Sequence, residues 1–381
     1  MSTNMTNNSV NTSPSYSIQL RRIWIFGMFL MITFSCAFMY LLPFGNMTLL
    51  AVKDSEQQVA SATGSILPLE TEQFEYEGEE YSIYNVPFED GTILQLALIK
   101  PGRNSSQFID INNPDSGIIE WEGNWRGLEP VTFVNPKWDN FSEAWNGINF
   151  PKVFGNTLYI AIVGMIGTII SSLLVGYAFA RFPIPGKNIL FIILIGTIIL
   201  PQQVTLIPTF AFFSSLTTTL KDWLSTTGLS STFYDPLTAV IAWLPLTLPH
   251  FFANAYNVFL FRQYFMTLPK ELDEAAMIDG AGPLYILTRI IIPLSWPVII
   301  AVGLFHFIFA WNDYFAPLIY LLDARELLPI SVAVQVFNFQ YGSRPELIQA
   351  TSLMAMVLPL VIFFFAQSIF MRGVILTGVD K

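Results

Sequence analysis

Charge is scarce in this sequence. Asp, Glu, Lys and Arg make up only 12% of its 381 residues, about half the roughly 25% of an average soluble domain. Hydrophobic residues make up 53%, and the mean hydropathy is +0.52. Such a composition marks a membrane protein before any motif is read. The single cysteine, Cys36, excludes an internal disulfide. The two histidines, His250 and His306, cannot complete a zinc site alone, and no H-E-x-x-H is present. There is no G-x-S-x-G elbow and no visible pair of catalytic groups. There is no G-x-x-x-x-G-K-[ST] either, so the chain has no phosphate-cradling loop of its own. No basic run interleaved with aromatics points to nucleic acid. Neither a cofactor nor a metal is called for.

Long apolar runs are plentiful. A Ser/Thr/Asn-rich segment, 1–22, reads as a disordered tail ending in Arg21 and Arg22. The run 23–44 is long enough to cross a hydrocarbon core of ~30 Å as a helix. It reads as a retained anchor rather than a signal peptide, which would have a shorter apolar core and a small-x-small site. Five more spans are expected at about 154–180, 189–215, 237–260, 292–322 and 349–371, within a helical core of 153–372. Prolines 201, 208, 245, 249 and 317 lie inside them. Prolines are tolerated in spanning helices when neighbours re-satisfy the freed carbonyls, so a kinked, packed bundle is expected. With six spans, Arg21, Arg22, Arg181, Lys187, Arg262, Lys270, Arg289, Arg372 and Lys381 all fall on one side. That side is then cytoplasmic, together with both termini and the tail 373–381.

Segment 45–152 falls on the other side and carries the negative charge, with an acid-rich stretch around "EQFEYEGEE". "EEYSIYNV", "TILQLALIK", "QFIDI" and "GIIEW" read as strands, with "EDG" at 89–91 as a hairpin signal. They predict a small β-rich core at about 66–132, followed by an amphipathic approach to the second span. Trp121, Trp125, Trp138 and Trp145 have the chemistry to stack on sugars, but core packing and interface anchoring is the favoured role. Within the spans, Asp313 is the only acid away from an end. With its neighbour Asn312 it is a candidate for lining a polar path, or else a near-interface acid.

Between two apolar runs stands "ELDEAAMIDGAGP", 271–283. Pro269 suits a first helical position. Glu271, Asp273 and Glu274 suit the positive end of a helix dipole. Gly280 and Gly282 supply a stop. A helix over about 269–281 is too short and polar to span, so it lies at the cytoplasmic surface. Leu272, Ala275, Ala276 and Asp279 fall near one face at helical spacing. The small side chains of Ala275, Ala276, Gly280 and Ala281 leave room for another backbone or a partner's groove. On physics alone, a solvated loop helix packed on its own bundle reads equally well.

"EAAMIDGAGPLYILTRIIIP", 274–293, resembles the EAA signature of ABC importer permeases. Glu274, Ala275, Ala276, Gly280, Ile290 and Pro293 stand in register, and Ile292 replaces the usual Leu. The flank "LFRQYFMTLPKELDEAAMIDGA" is similar to carbohydrate importers, as are "NTLYIAIVG", "FAWNDYFAPLIYL" and the tail "LTGVDK". The likeness is nearest to the maltose-type subunit and covers 20–44 and 138–381; segment 45–137 departs from it. The resemblance implies an all-α membrane protein of six transmembrane helices, here with an extracytoplasmic β-rich insertion. It assigns Glu274, Ala275, Ala276, Asp279, Gly280 and Ala281 to a coupling helix that docks on a separate cytoplasmic ABC ATPase dimer. Thr377, Gly378 and Lys381 would reach the same partner. A second homologous permease subunit, an extracytoplasmic solute-binding protein and membrane lipid complete the implied partners, in a bacterial or archaeal cytoplasmic membrane.

The expectation is therefore a permease subunit of an ATP-driven importer for an oligosaccharide or related sugar, itself not an enzyme. Glycerol-phosphate or another polyol derivative is the alternative cargo. An ion-coupled secondary carrier would need a relay of mid-membrane ionisable groups and no ATPase surface. An intramembrane enzyme would need paired catalytic groups.

Overall fold

The structure, a computed structural model, describes residues 16–61, 66–88, 91–226, 236–339 and 342–377. It divides into two compact units, Met1–Lys137 and Trp138–Lys381.

In the first unit, helix α1 (Tyr16–Ala51) is followed by a short α2 (Ser55–Ser61). The expected span 23–44 is thus part of a longer helix, which takes in 16–22 of the segment read as a disordered tail and continues through the flanking "NMTLLA". Strands β1 (Leu69–Thr71), β2 (Gln73–Tyr76), β3 (Glu79–Pro87), β4 (Ile93–Lys100), β5 (Ser105–Asp110), β6 (Ile119–Glu122), β7 (Glu129–Pro130) and β8 (Thr132–Val134) follow. An antiparallel sheet runs β2-β3-β4-β5-β6, with β7 on β3, and β1 pairs β8 separately. Glu77 and Gly78 both have positive φ in the β2–β3 turn, as a two-residue hairpin loop of matching twist requires. Glu89 and Asp90 of the expected "EDG" turn lie outside the described residues. The sheet is buried on both faces. Val86, Leu96 and Phe108 pack on one and Ile83, Ala97 and Ile109 on the other, so the strand centres are apolar without alternation. Trp121 packs edge-on against Phe108 and donates its indole N–H to the Pro87 carbonyl, 3.0 Å away. Trp125 packs edge-on against Tyr84.

The second unit is helical: α3 (Asp139–Gly147), α4 (Phe150–Arg181), α5 (Lys187–Gly196), α6 (Gln202–Thr226), α7 (Pro236–Thr247), α8 (Ala255–Thr267), α9 (Glu271–Ile278), α10 (Pro283–Ile286), α11 (Ile292–Leu294), α12 (Trp296–Trp311), α13 (Phe315–Tyr320), α14 (Ile330–Ala333), α15 (Val336–Phe339) and α16 (Pro345–Thr377). Among the described residues of the chain, α1, α4, α7 with α8, and α16 are long and apolar enough to cross a membrane, and two sharply bent helix pairs are further candidates. Apolar helices of this number make a multi-pass membrane protein. The break between α7 and α8 is capped by Asn254, whose side chain accepts from the backbone of Tyr256 and Asn257 at 2.9 and 3.3 Å. The bent pair Pro283–Leu294 and Trp296–Trp311 turns by 80° at buried Ser295. Tyr264 donates to the Leu294 carbonyl at the bend, 3.0 Å away, which supplies a partner where the helix ladder is broken.

Helix α4 is the spine, packed by α8 and α12. Close approach depends on missing side chains. A Cβ at Gly176 would lie 2.7 Å from Cβ of Phe261 on α8, and one at Gly164 would lie 2.7 Å from Nε2 of His306 on α12. Small residues allow such contact where lipid offers no hydrophobic drive for association. The main cluster joins Leu173 and Tyr177 of α4, Phe261 and Phe265 of α8, and Val298, Ile299 and Val302 of α12. Arg344 forks onto Glu143 at 3.1 and 3.2 Å and also pairs with fully buried Glu346, which ties α3 to the start of α16.

Candidate functional site

The acidic, small-residue stretch forms α9, an eight-residue helix over 271–278. The expected helix over 269–281 is longer than this. Lys270 occupies the N-cap with no side-chain cap bond, so Pro269 precedes the helix. Asp279 is the C-cap. Gly280 follows at φ +85°, and its N–H bonds the Met277 carbonyl at 3.0 Å. The Ala281 N–H reaches back to the Ala276 carbonyl at 2.9 Å. These two bonds form a Schellman ending with glycine in the left-handed position. A Cβ at Gly280 would meet nothing within 4 Å, so backbone conformation, not internal packing, calls for glycine there.

The face expected from helical spacing is split. Ala276 and Ala281 are half-buried and pack on the main cluster below. Glu274, Ala275, Asp279 and Gly280 are exposed on the outer side. Met277 and Ile278 join them there, with Ile278 87% exposed. Sequence spacing missed both residues. The available signal was a β-branched apolar residue one turn past Glu274, on the side away from Ala276.

The structure also identifies what holds α9 from behind. Asp273 forms an ion pair with Arg181, the last residue of α4, at 2.8 Å, and the two side chains are only 9% and 6% exposed. Arg181 Nη2 donates to the Leu268 carbonyl at 3.1 Å, just before the helix. Tyr177 Oη, one turn earlier on α4, donates to the Pro283 carbonyl at 3.4 Å, just after it. The end of α4 thus clamps α9 on both sides and in the middle. Burial pushes the Asp273 carboxyl above the usual carboxylate range, while the adjacent Arg181 guanidinium opposes that shift. A buried pair of this kind adds little net stability, yet breaking it leaves an uncompensated charge.

The other predicted positions lie elsewhere. Asn312 and Asp313 follow the last residue of α12, so the expected span 292–322 stops at Trp311. Asn312 is exposed and donates to the Ile308 carbonyl at 2.8 Å. Asp313 accepts from the Ala316 N–H at 3.4 Å, and its carbonyl accepts from Ser331 at 2.6 Å. Short polar side chains compete with helix bonds for the backbone, which explains the stop. Thr377 ends α16, and Gly378 and Lys381 lie outside the described residues. His250 and His306 meet inside the bundle with ring centroids 4.4 Å apart, and His306 Nδ1 lies 3.1 Å from Thr168 Oγ1. Among the described residues, no group of three potential ligands is placed to hold a metal.

Residues 172–375 match the family described as "Binding-protein-dependent transport system inner membrane component". The chain is 30% identical over 293 residues to the osmoprotective compounds uptake permease protein of Synechocystis, covering 76% of this chain and 90% of that one. It is 28% identical to the alpha-glucoside transport system permease protein of Rhizobium meliloti, over 62% of this chain and 58% of that relative. A solved bacterial ABC transporter involved in the import of alginate shares the fold at 19% identity and a TM-score of 0.58, over 93% of this chain and 99% of that one. The chain belongs to the inner-membrane components of binding-protein-dependent transport systems, as a permease subunit of an ABC importer.

Proposed function

We propose that α9 is the coupling element of this permease and that its cargo is an oligosaccharide or related sugar. The clamp carries the first part of the reading. Asp273, the Leu268 carbonyl and the Pro283 carbonyl tie α9 to the end of α4. The face bearing Glu274, Ala275, Met277, Ile278 and Gly280 is left exposed. A short helix held on one side, with exposed apolar and small side chains beside two carboxylates on the other, suits docking in a cleft of a separate ATPase dimer. Force applied to α9 then passes into α4, against which α8 and α12 pack. The chain supplies no phosphate-cradling loop, so ATP hydrolysis belongs to that partner.

In this reading the two bent helix pairs count as spans, which gives six in all. The one-sided Lys and Arg pattern then puts α9 and both termini in the cytoplasm and the β-rich unit outside. A second homologous permease subunit completes the pore, and an external binding protein delivers substrate. The alpha-glucoside transport relative supports the sugar assignment.

Gly280→Val tests the coupling role. A β-branched residue at φ +85° is strained whatever the space. It turns the chain away from Pro283 and crowds the docking face. The expected result is a purified complex whose ATPase no longer responds to loaded binding protein, with Glu274→Ala only partly impaired. Normal assembly and normal stimulation in Gly280→Val contradict the role.

A further inference from the structure

At the seam between α5 and α8 lies a group of cations that take no part in the Asp273–Arg181 clamp. Arg262 of α8 lies over the ring of Phe191 on α5, with the guanidinium carbon 4.1 Å from the ring centroid. Phe191 stacks on Phe259 at 6.4 Å and leans on Phe179 at 5.5 Å, so the guanidinium rests on an aromatic floor. The Arg262 Nε is buried without a hydrogen-bond partner. Lys187, the first residue of α5, points Nζ at the carbonyls of Phe182 and Ala180, 3.2 and 3.5 Å away. The like charges of Arg262 and Lys270 act on it. Among the described residues, Lys187, Arg262 and Lys270 form no ion pair.

Neighbouring cations that form no ion pair, and an orphaned buried donor, call for an anion. The surroundings indicate which kind. Ile189, Leu190, Ile192 and Ile193 of α5 are all exposed, and so is Phe259 of α8. A surface that changes from cations to exposed apolar side chains within one turn matches a lipid, with its headgroup at the membrane edge and its chains below.

We propose that Lys187, Arg262 and Lys270 bind the phosphate of an anionic membrane lipid at the α5–α8 seam, with Phe191 as its floor. The site rests on the reading of this helical unit as membrane-spanning. It does not depend on the ATPase partner, so a test on the isolated chain separates it from the coupling role. Lys270 immediately precedes α9, so a lipid held there also anchors the turn that leads into the clamp.

The test is native mass spectrometry of the detergent-purified full chain, titrated with phosphatidylglycerol or phosphatidylcholine. Wild type is expected to retain phosphatidylglycerol in preference to phosphatidylcholine. Lys187→Gln with Arg262→Gln removes two of the cations and is expected to weaken that retention roughly thirtyfold. Arg21→Gln with Arg22→Gln removes the same charge elsewhere and is expected to leave it unchanged. Lys270→Gln, at an exposed position, gives the same reading with a smaller loss if the double variant fails to fold. Equal retention in the seam variants and wild type, or an equal loss in the Arg21/Arg22 control, overturns the site. Displacement of phosphatidylglycerol by millimolar inorganic phosphate assigns the site to free phosphate and overturns the lipid.

Discussion

Asp273→Asn perturbs the clamp at nearly constant size. Arg181 keeps its hydrogen bond to the Leu268 carbonyl but loses its counter-charge, in a site where its side chain is 6% exposed. Removing one partner of a buried ion pair costs about 3–5 kcal/mol, because the remaining charge stays buried and uncompensated. The lower figure is about two powers of ten in an equilibrium constant. Few other contacts hold α9. Ala276 and Ala281 are only half-buried, and the Tyr177 hydrogen bond is long at 3.4 Å. The cost therefore falls on the seating of α9 rather than on the bundle. Hydrogen–deuterium exchange of the detergent-purified chain is expected to quicken by about a hundredfold over 273–281. The middle of α4 should be unchanged. Arg181→Leu combined with Asp273→Leu should recover most of the protection, since a buried pair replaced by apolar side chains is close to neutral. Unchanged exchange in Asp273→Asn, or a double variant as loose as the single one, refutes the clamp.

The β-rich unit should respond to acid at one place. Lys137 and Asn135 hydrogen-bond Glu70 and hold its carboxyl below the usual carboxylate range. A depressed carboxylate contributes stability that is present above its unfolded pKa and is lost as pH falls through the folded one. The β1–β8 pairing in the full chain should therefore loosen below the ordinary carboxylate range. The change should be small, since the pair is partly exposed. Exchange over 69–71 measured at neutral and acid pH checks this, with Glu70→Gln expected to lose the pH dependence. For topology, single cysteines placed within 60–130 should react with an impermeant maleimide in intact cells, and those within 265–285 should not. Labelling of the second group would invert the proposed orientation.

Much of the site was legible because it is local. The run from Glu271 to Gly280 encodes a first turn, a helix and its glycine stop within a dozen residues, and those features depend on nearest neighbours. What escaped was what distant segments bring together. Asp273 looked like one more acid suited to the helix dipole, and only the fold places it on Arg181. Helical periodicity grouped Ala275 with Ala276, but the bundle takes Ala276 and leaves Ala275 outside. Spacing alone does not say which side of a short helix meets the core. Likewise Asp313 stood inside an apolar run, and hydropathy could not show that α12 stops two residues earlier. In the β-rich unit, the strongly patterned segments were readable. The hairpin at Glu77 and Gly78 was hidden in an acidic run, where charge masked a turn signal.

The central claim is that the outer face of α9 seats against the ATPase, and site-directed crosslinking tests it most directly. Ile278 is 87% exposed on that face, and Cys36→Ser removes the native thiol. In that background, Ile278→Cys should crosslink to a cysteine in the partner's cleft within the assembled importer, and ATP should change the yield as the cleft closes. Ala276→Cys, half-buried against the bundle, should not crosslink. An Ile278→Cys that stays free for water-soluble maleimide in the assembled, ATP-hydrolysing complex would contradict the account.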